Sequence, residues 1–200
     1  MDKNTIISKI AQESEDKLLL ARIWDKYEQM ERRGIPTTTV FLSPREQIMA
    51  QTLLNSAGVR SGYCFDGGFG SAERKLLLFL PEWAEEAGDE IAFVRAAFHG
   101  ADSTLTHRDI LGSLMGLGIT RETVGDILIS PHSADVIVAP QMVDFLLREW
   151  SSAGRVRLMV TEIAREELSE PEVKITQVSD TVSSLRLDAV VSSAFSMSRG

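Results

Sequence analysis

The sequence has few of the residues on which several protein classes depend. Its single cysteine, Cys64, excludes an internal disulfide framework and a cysteine-rich zinc site. The histidines are His99, His107 and His132, and no two of them stand at metal-ligand spacing. The sequence shows no Ser/His/Asp or Cys/His combination of the kind that forms a nucleophilic site. We therefore predict no catalytic residue, no metal and no cofactor.

Long apolar runs and a basic charge excess are missing as well. The longest aliphatic run, LLLFL at 76–80, is far shorter than the roughly 20 residues that a membrane helix needs. The first 17 residues lack the apolar centre of a secretory signal. The net charge of -8 argues against a generic nucleic-acid binder, which usually carries a basic excess. We expect a cytoplasmic protein with no membrane partner, whose RNA contacts must use local basic patches.

The first ninety residues predict a helical and β-hairpin subdomain. Apolar residues at helical spacing predict one helix over 5–33. A Ser-Pro entry with a capping box predicts a second helix over 43–57. Strand-like runs at 62–68 and 75–81 flank a glycine-rich connection, which indicates a hairpin and lacks the spacing of a phosphate-binding loop. We expect Cys64 to be buried in the first of these strands.

From residue 91 the elements alternate regularly. Strand, helix, two strands, helix and strand follow at 91–98, 106–117, 125–129, 134–139, 140–152 and 155–163. This βαββαβ order predicts a ferredoxin-like plait over 91–164. The helices would cover one face of the sheet and leave the other free, and plaits of this order often bind RNA on their open face.

The whole chain therefore reads as an α+β fold. Residues 1–90 form the N-terminal subdomain and 91–164 the plait, followed by a linker over 165–182. Residues 183–200 form an incomplete C-terminal helical segment.

The first turn of the helix predicted over 106–117 carries two cationic residues. Thr106 and Asp109 have the spacing of a capping box, which explains Asp109 without catalysis. His107 and Arg108 oppose the helix dipole, at about 0.3–1 kcal/mol each when charged. A phosphate at this helix start would remove that penalty. Solvated side chains that the fold tolerates are the alternative.

The same helix contains two interior glycines and is followed by a further cation. Gly112 and Gly116 each lower the stability of the helix by about 1 kcal/mol relative to Ala. The helix surface at these glycines has no side chain, so either another backbone of the same protein or the backbone of a ligand could approach it. Arg121 either pairs with Glu122 or Asp126 or contacts a polyanion. The cationic turn and Arg121 lie roughly 16 Å apart at 1.5 Å per helical residue. A polyanion spans that distance more easily than one reaction centre.

These residues carry a family resemblance. The stretch from Thr106 to Ile119, with Arg121 and the Gly-Asp-Ile at 125–127, closely resembles the signature of the YlmH family. The Phe-Leu-Ser helix entry at 41–43 and the order of the segments are also similar, so the resemblance covers most of the chain. YlmH proteins are bacterial RNA-binding proteins whose genes often lie near cell-division genes. Their layout implies an N-terminal RNA-binding module followed by an S-four-type RNA-binding domain.

The end of the chain resembles the opening of that second domain. LRLDAVV at 185–191 matches its first motif. The resemblance implies Arg186, Ser198 and Arg199 as RNA contacts, beside the candidates His107, Arg108 and Arg121. An S-four-type domain requires a further helix, a loop and a small sheet. We therefore expect the apolar stripe of 183–200 to fray, to dock on the body or to mediate self-association.

The resemblance implies a non-enzymatic, ribosome-associated protein. Its partners would be rRNA and/or tRNA on the large subunit, and its role would lie in quality control of stalled ribosomes. Two alternatives stay open: a protein-interaction module linked to cell division, and a hydrolase acting on RNA or tRNA esters. Ribosome co-sedimentation separates the first alternative, and a peptidyl-tRNA turnover assay tests the second.

Overall fold

The structure is a computed structural model that describes residues 3–84, 90–99 and 105–169, together with Arg186 and Val190. The chain divides into two units, residues 1–170 and 171–200. In the first unit the described helices and strands are α1 (Lys3–Ile10), α2 (Ser14–Arg33), β1 (Thr37–Thr38), α3 (Pro44–Ser56), β2 (Tyr63–Asp66), β3 (Leu76–Phe79), β4 (Ala92–Ala97), α4 (His107–Gly116), β5 (Val124–Ser130), β6 (Ser133–Val138), α5 (Val143–Glu149), β7 (Ser152–Ala153), β8 (Val156–Arg157) and β9 (Met159–Ile163). Short 3₁₀ turns occupy Arg121–Thr123, Pro140–Met142 and Arg165–Glu167.

The helix predicted over 5–33 is in fact two helices, α1 and α2. The chain breaks at Ala11, which is buried, and α2 resumes at Ser14. Both helices pack against α3. A straight helix over 5–33 would be about 43 Å long and α3 is about 20 Å long, at 1.5 Å per residue. The break therefore lets both apolar stripes reach the same short helix. The predicted Ser43 capping box of α3 is confirmed.

The predicted hairpin is confirmed as β2 and β3, and β1 adds a third strand in the order β1-β3-β2. Strand β3 is buried on both faces, because Leu77 and Phe79 pack on the helices while Leu76 and Leu78 pack on the opposite side. The expected burial of Cys64 is wrong: its side chain is exposed. Its neighbours in β2 point to the helices, and alternation along a strand turns Cys64 to the other face, at the sheet edge.

The second half of the unit is an antiparallel four-stranded sheet in the order β5-β6-β4-β9. Helices α4 and α5 cover one face, where Ile110, Leu114 and Leu146 pack on Val94 and Val136. The described fold is therefore a mixed α+β architecture: N-terminal helices with a small sheet, then a four-stranded antiparallel sheet with helices.

The other face of this sheet is not free, so that expectation is wrong. Phe93 and Ile137 pack with Phe41 and with the outer residues of β3, and the small sheet covers this part of the face. The approach is close: a Cβ at Gly68 would lie 2.7 Å from the Phe93 ring, and one at Gly125 would lie 2.8 Å from the Phe41 ring. The sequence carried a signal of this cover, because β4 and β6 are apolar on both faces, as strands buried on both sides are.

A buried ion pair occupies the next part of the same face. Asp135, whose side chain is fully buried, accepts hydrogen bonds from Arg95 Nε at 2.6 Å and Nη2 at 2.7 Å. Arg95 Nη2 also donates to the carbonyl oxygen of Glu167 at 2.5 Å, and the Ser169 N–H donates to Asp135 at 2.8 Å. These bonds hold the segment 165–169 against the sheet. Burial alone raises the pKa of Asp135, but Arg95 and Ser169 outweigh burial, and the pKa lies below its ordinary value.

The strand predicted over 155–163 is shorter than expected. Strand β9 begins at Met159, and the preceding residues form a separate hairpin of β7 and β8. Gly154, at φ 59°, makes the turn between the two strands. Ala153 is buried in the core beneath α4 and α5, and Val156 is partly buried there, which ties the hairpin to the body.

We predict that Asp135→Asn destabilises the fold by about 3 kcal/mol at pH 7, because it removes one charge of a buried pair. The pKa of Asp135 is depressed, so its contribution is complete above the ordinary value of 3.8 and is lost as pH falls through the folded value. The difference between variant and wild type should therefore shrink below about pH 3.8. Urea unfolding at pH 7 and at pH 3 measures it. Asp25→Asn, at an exposed ion pair with Lys3, should change stability little. Equal destabilisation by Asp135→Asn and Asp25→Asn would contradict the assignment of Asp135 to a buried ion pair that stabilises the fold.

Candidate nucleic-acid interface

The start of α4 is fixed by a capping box, as the sequence predicts. The Thr106 hydroxyl accepts from the Asp109 N–H at 3.3 Å, and the Asp109 carboxylate accepts from the Thr106 N–H at 2.9 Å and from its hydroxyl at 2.6 Å. The two bonds from Thr106 lower the pKa of Asp109. Asp109 is thus a structural carboxylate, held ionised at the helix terminus.

His107 and Arg108 lie in the first turn of α4 and are exposed. In the described residues neither side chain has a hydrogen bond or an ion pair, although the positive charge of Arg108 lowers the pKa of Asp109. Both side chains therefore face solvent beside the free N–H groups of a helix terminus. That combination suits an anion.

Gly112 and Gly116 follow Arg108 on the exposed side of α4. A Cβ added at either glycine would find nothing within 4 Å among the described residues. The close packing that would explain them inside the protein is therefore absent in this part of the chain. Residues four apart lie above one another on a helix, so Arg108 and the two glycines form one open row, opposite the buried Ile110 and Leu114.

Arg121 is half-buried and fixed by backbone oxygens. Its Nη1 donates to the carbonyl oxygens of Val124 at 2.9 Å and Gly125 at 2.8 Å. The sequence left open an ion pair of Arg121 with Glu122 or Asp126, and no such pair forms among the described residues. Asp126 instead accepts the backbone N–H groups of Glu73 at 2.6 Å and Arg74 at 3.1 Å.

Arg74 is the side chain that joins this turn to the N-terminal part. Its guanidinium donates to the carbonyl oxygens of Phe41 at 2.7 Å, Val124 at 3.1 Å and Arg121 at 3.1 Å. Burial lowers the pKa of Arg74, and burial followed by repulsion from Arg74 lowers the pKa of Arg121. Two half-buried cations therefore lie near each other at this end of α4.

The structure keeps the predicted site residues in separate places. Helix α4, about 15 Å long at 1.5 Å per residue, lies between Arg108 and Arg121. Arg186 belongs to the unit over 171–200 and is exposed, and the Val190 N–H donates to its carbonyl oxygen at 3.1 Å. Ser198 and Arg199 lie outside the described residues, as does most of the predicted C-terminal helical segment.

Two exposed cations were missed in the sequence. Arg155 and Arg157 were assigned to a continuous strand, whereas they lie on the β7–β8 hairpin, with Arg155 in its turn. The Gly-Arg pair between short strand-like runs is a hairpin-turn signal. The hairpin lies beside α4, because the indole N–H of Trp150 donates to the Ser113 hydroxyl at 2.9 Å.

No group of three or more His, Cys, Asp or Glu side chains in the described ranges could hold a metal ion. No helix there is long and apolar enough to cross a membrane.

Known proteins are similar to this chain in sequence and in fold. Residues 87–167, which include α4 and all four strands of the larger sheet, match the family model "Putative RNA-binding domain in YlmH". The chain is 36% identical over 163 residues to "Ribosome-associated protein quality control protein P2" of Bacillus subtilis (strain 168), covering 80% of this chain and 63% of that protein. It thus spans less than two thirds of that relative's length. A solved structure, "Cell division protein ylmH from Streptococcus pneumoniae", matches with a TM-score of 0.61 at 23% identity, over 78% of this chain and 96% of that one.

The stretch that matches this family model thus includes the exposed start of α4. The chain belongs to the YlmH family and is a homologue of the ribosome-associated quality control protein P2.

We predict that Gly112→Ala stabilises the protein by about 1 kcal/mol, because Ala favours the helix and the added methyl meets no neighbour. Thermal or urea unfolding measures the change. Gly118→Ala is the matched control: Gly118 ends α4 at φ 83°, where Ala is strained, so the same substitution should destabilise. A destabilised Gly112→Ala variant would show that a part of the protein packs closely on this row.

Proposed function

We propose that this protein is a non-enzymatic RNA-binding protein of the large ribosomal subunit, acting in quality control of stalled ribosomes. Its partners are rRNA and/or tRNA, and it works in the cytoplasm. One observation carries the proposal: the exposed cationic start of α4 lies within the stretch that matches an RNA-binding domain. The identity to a ribosome-associated relative supports the ribosomal setting.

The domain layout in this proposal follows the sequence. Residues 91–164 are a ferredoxin-like plait, which the βαββαβ order and the spatial order β5-β6-β4-β9 support. Residues 1–90 are its N-terminal partner and 183–200 the start of an S-four-type domain. The sequence predicts a linker over 165–182, and the first part of that range, 165–169, is bonded to the sheet. The small sheet covers part of the outer sheet face, so RNA approaches the plait from the side of α4 instead.

His107, Arg108 and Arg121 contact phosphates in this proposal. The first two place positive charge and free N–H groups at one end of α4. At the other end, Arg121 is held by backbone oxygens while Arg74 repels it, and a phosphate there would offset the repulsion. The two ends suit successive phosphates of one strand. Arg186, Ser198 and Arg199 extend the contact, as the family resemblance implies.

The hydrogen bonds of the two carboxylates near this surface support a role in binding and not in catalysis. Asp109 is engaged by Thr106, and Asp126 by two backbone N–H groups. Because both carboxylates already accept hydrogen bonds, neither is free to act as a general base. Incubation with peptidyl-tRNA should give no turnover. Hydrolysis that survives purification and disappears in His107→Ala would establish the hydrolase alternative.

We predict that Arg108→Ala weakens binding to purified tRNA and to large ribosomal subunits, and flattens the salt dependence by about one unit of slope, because one phosphate contact is lost. Titrations between about 50 and 200 mM salt measure both quantities. Arg60→Ala, at an exposed arginine in the N-terminal part, is the charge-matched control and should leave both unchanged. The same slope in wild type and Arg108→Ala would overturn the contact.

The row of glycines gives a test in which stability and binding change in opposite directions. If an RNA backbone lies against α4, the methyl of Gly112→Ala keeps it at a distance and weakens binding while the fold becomes more stable. Co-sedimentation with ribosomes at matched salt measures the binding. A more stable variant with unchanged binding would place the RNA elsewhere. Wild-type protein that fails to co-sediment with ribosomes would favour the division-linked interaction module.

A further inference from the structure

We propose that the β7–β8 hairpin is a second RNA-contacting element, in which Arg155 and Arg157 bind backbone phosphates beside α4. This inference rests on the proposed RNA-binding function and extends its surface to residues that no resemblance assigns. The partner is the sugar-phosphate backbone of a structured RNA, recognised by charge and not by base sequence.

The first support is that both arginines lack a structural duty. In the part of the chain that the structure describes, Arg155 and Arg157 are exposed and have no hydrogen-bond or ion-pair partner. Three other arginines of the body show what a structural duty looks like: Arg74 and Arg95 are bonded on several sides, and Arg45 pairs with Asp16. Even Glu149, which closes α5 just before the hairpin and is exposed, forms no ion pair with them.

The second support is that the hairpin is held in place. A hairpin of two two-residue strands is marginal alone, and here three contacts hold its base. Ala153 is buried in the core, the Leu158 N–H donates to the Ser151 carbonyl at 2.9 Å, and Trp150 is 2% exposed. Paired residues share a face and successive residues alternate between faces, so Ala153 and Val156 point inward while Ser152 and Arg157 point outward. The fold thus presents Arg157 to solvent on an anchored support.

The third support is the position of the hairpin relative to α4. Trp150 donates to Ser113, which lies five residues after Arg108, or about 7.5 Å along the helix. Ser113 is the residue next to Gly112, on the flank of the open row. The hairpin therefore begins beside the row that Arg108, Gly112 and Gly116 leave open. An RNA backbone that lies along this row would meet Arg108 at one end and the hairpin arginines at its side.

The inference predicts a loss of binding without a loss of stability. Arg155→Ala and Arg157→Ala should each weaken binding to purified bulk tRNA about five- to tenfold near 0.1 M salt and reduce the salt slope by about one unit, and the double variant should reduce it by about two. Unfolding midpoints should not move, because neither side chain has a partner to lose. Arg157→Lys should retain most of the slope, since the contact depends on charge. Arg60→Ala again controls for net charge.

The possible failures are distinguishable. If Arg155→Ala and Arg157→Ala bind with the same affinity and salt slope as the wild type, the hairpin contact is wrong and the proposed function still stands. Wild-type protein that binds neither bulk tRNA nor large subunits from Bacillus subtilis would overturn both. If the variants lose subunit binding but keep their tRNA affinity and slope, the hairpin recognises a feature particular to the subunit, and the proposed recognition of an RNA backbone by charge alone is wrong.

Discussion

The packing of the small N-terminal sheet on the larger sheet decides what the rest of the molecule can do. Strand β3 carries apolar residues on both faces, one set toward the helices and the other toward Phe93 and Ile137. Gly68 and Gly125 make this approach close enough that a single methyl would collide with an aromatic ring. Because protein covers this part of the face, a ligand of the four-stranded sheet has the helical side, the sheet edges and the loops available to it.

Charge is distributed in keeping with that constraint. The net charge is -8, yet the exposed side of α4 and the adjoining hairpin present cations whose carboxylate neighbour, Asp109, is engaged in a helix cap. A polyanion is repelled by the net charge and attracted where exposed cations gather. For the RNA partner proposed above, such a distribution favours one orientation of the protein.

Local patterns in the sequence predicted local structure well. The capping boxes of α3 and α4, the hairpin of β2 and β3 and the βαββαβ order all follow from residue types at short spacings. What failed was the long-range part. The cover on the sheet depends on the packing of β3 side chains on strands that come later in the chain. The Arg95–Asp135 pair joins residues 40 positions apart. His107 and Arg108 were visible as candidates because their position at the start of a helix opposes its dipole. Arg155 and Arg157 were not, because alternation in RVR resembles a strand until the Gly154 turn is placed.

The hydrogen bonds of Arg74 and Asp126 also impose an order of events during synthesis. The loop between β2 and β3 leaves the ribosome early, but its Glu73 and Arg74 N–H groups find their acceptor on a residue 53 and 52 positions later. Domains generally begin to fold from the N-terminus as they are made, at about 5–20 residues per second. The nascent chain must therefore wait several seconds with the outer face of β3 uncovered. An apolar strand exposed for that time is open to wrong pairing, and the glycine-rich loop around it cannot settle until the turn at 121–126 has been translated.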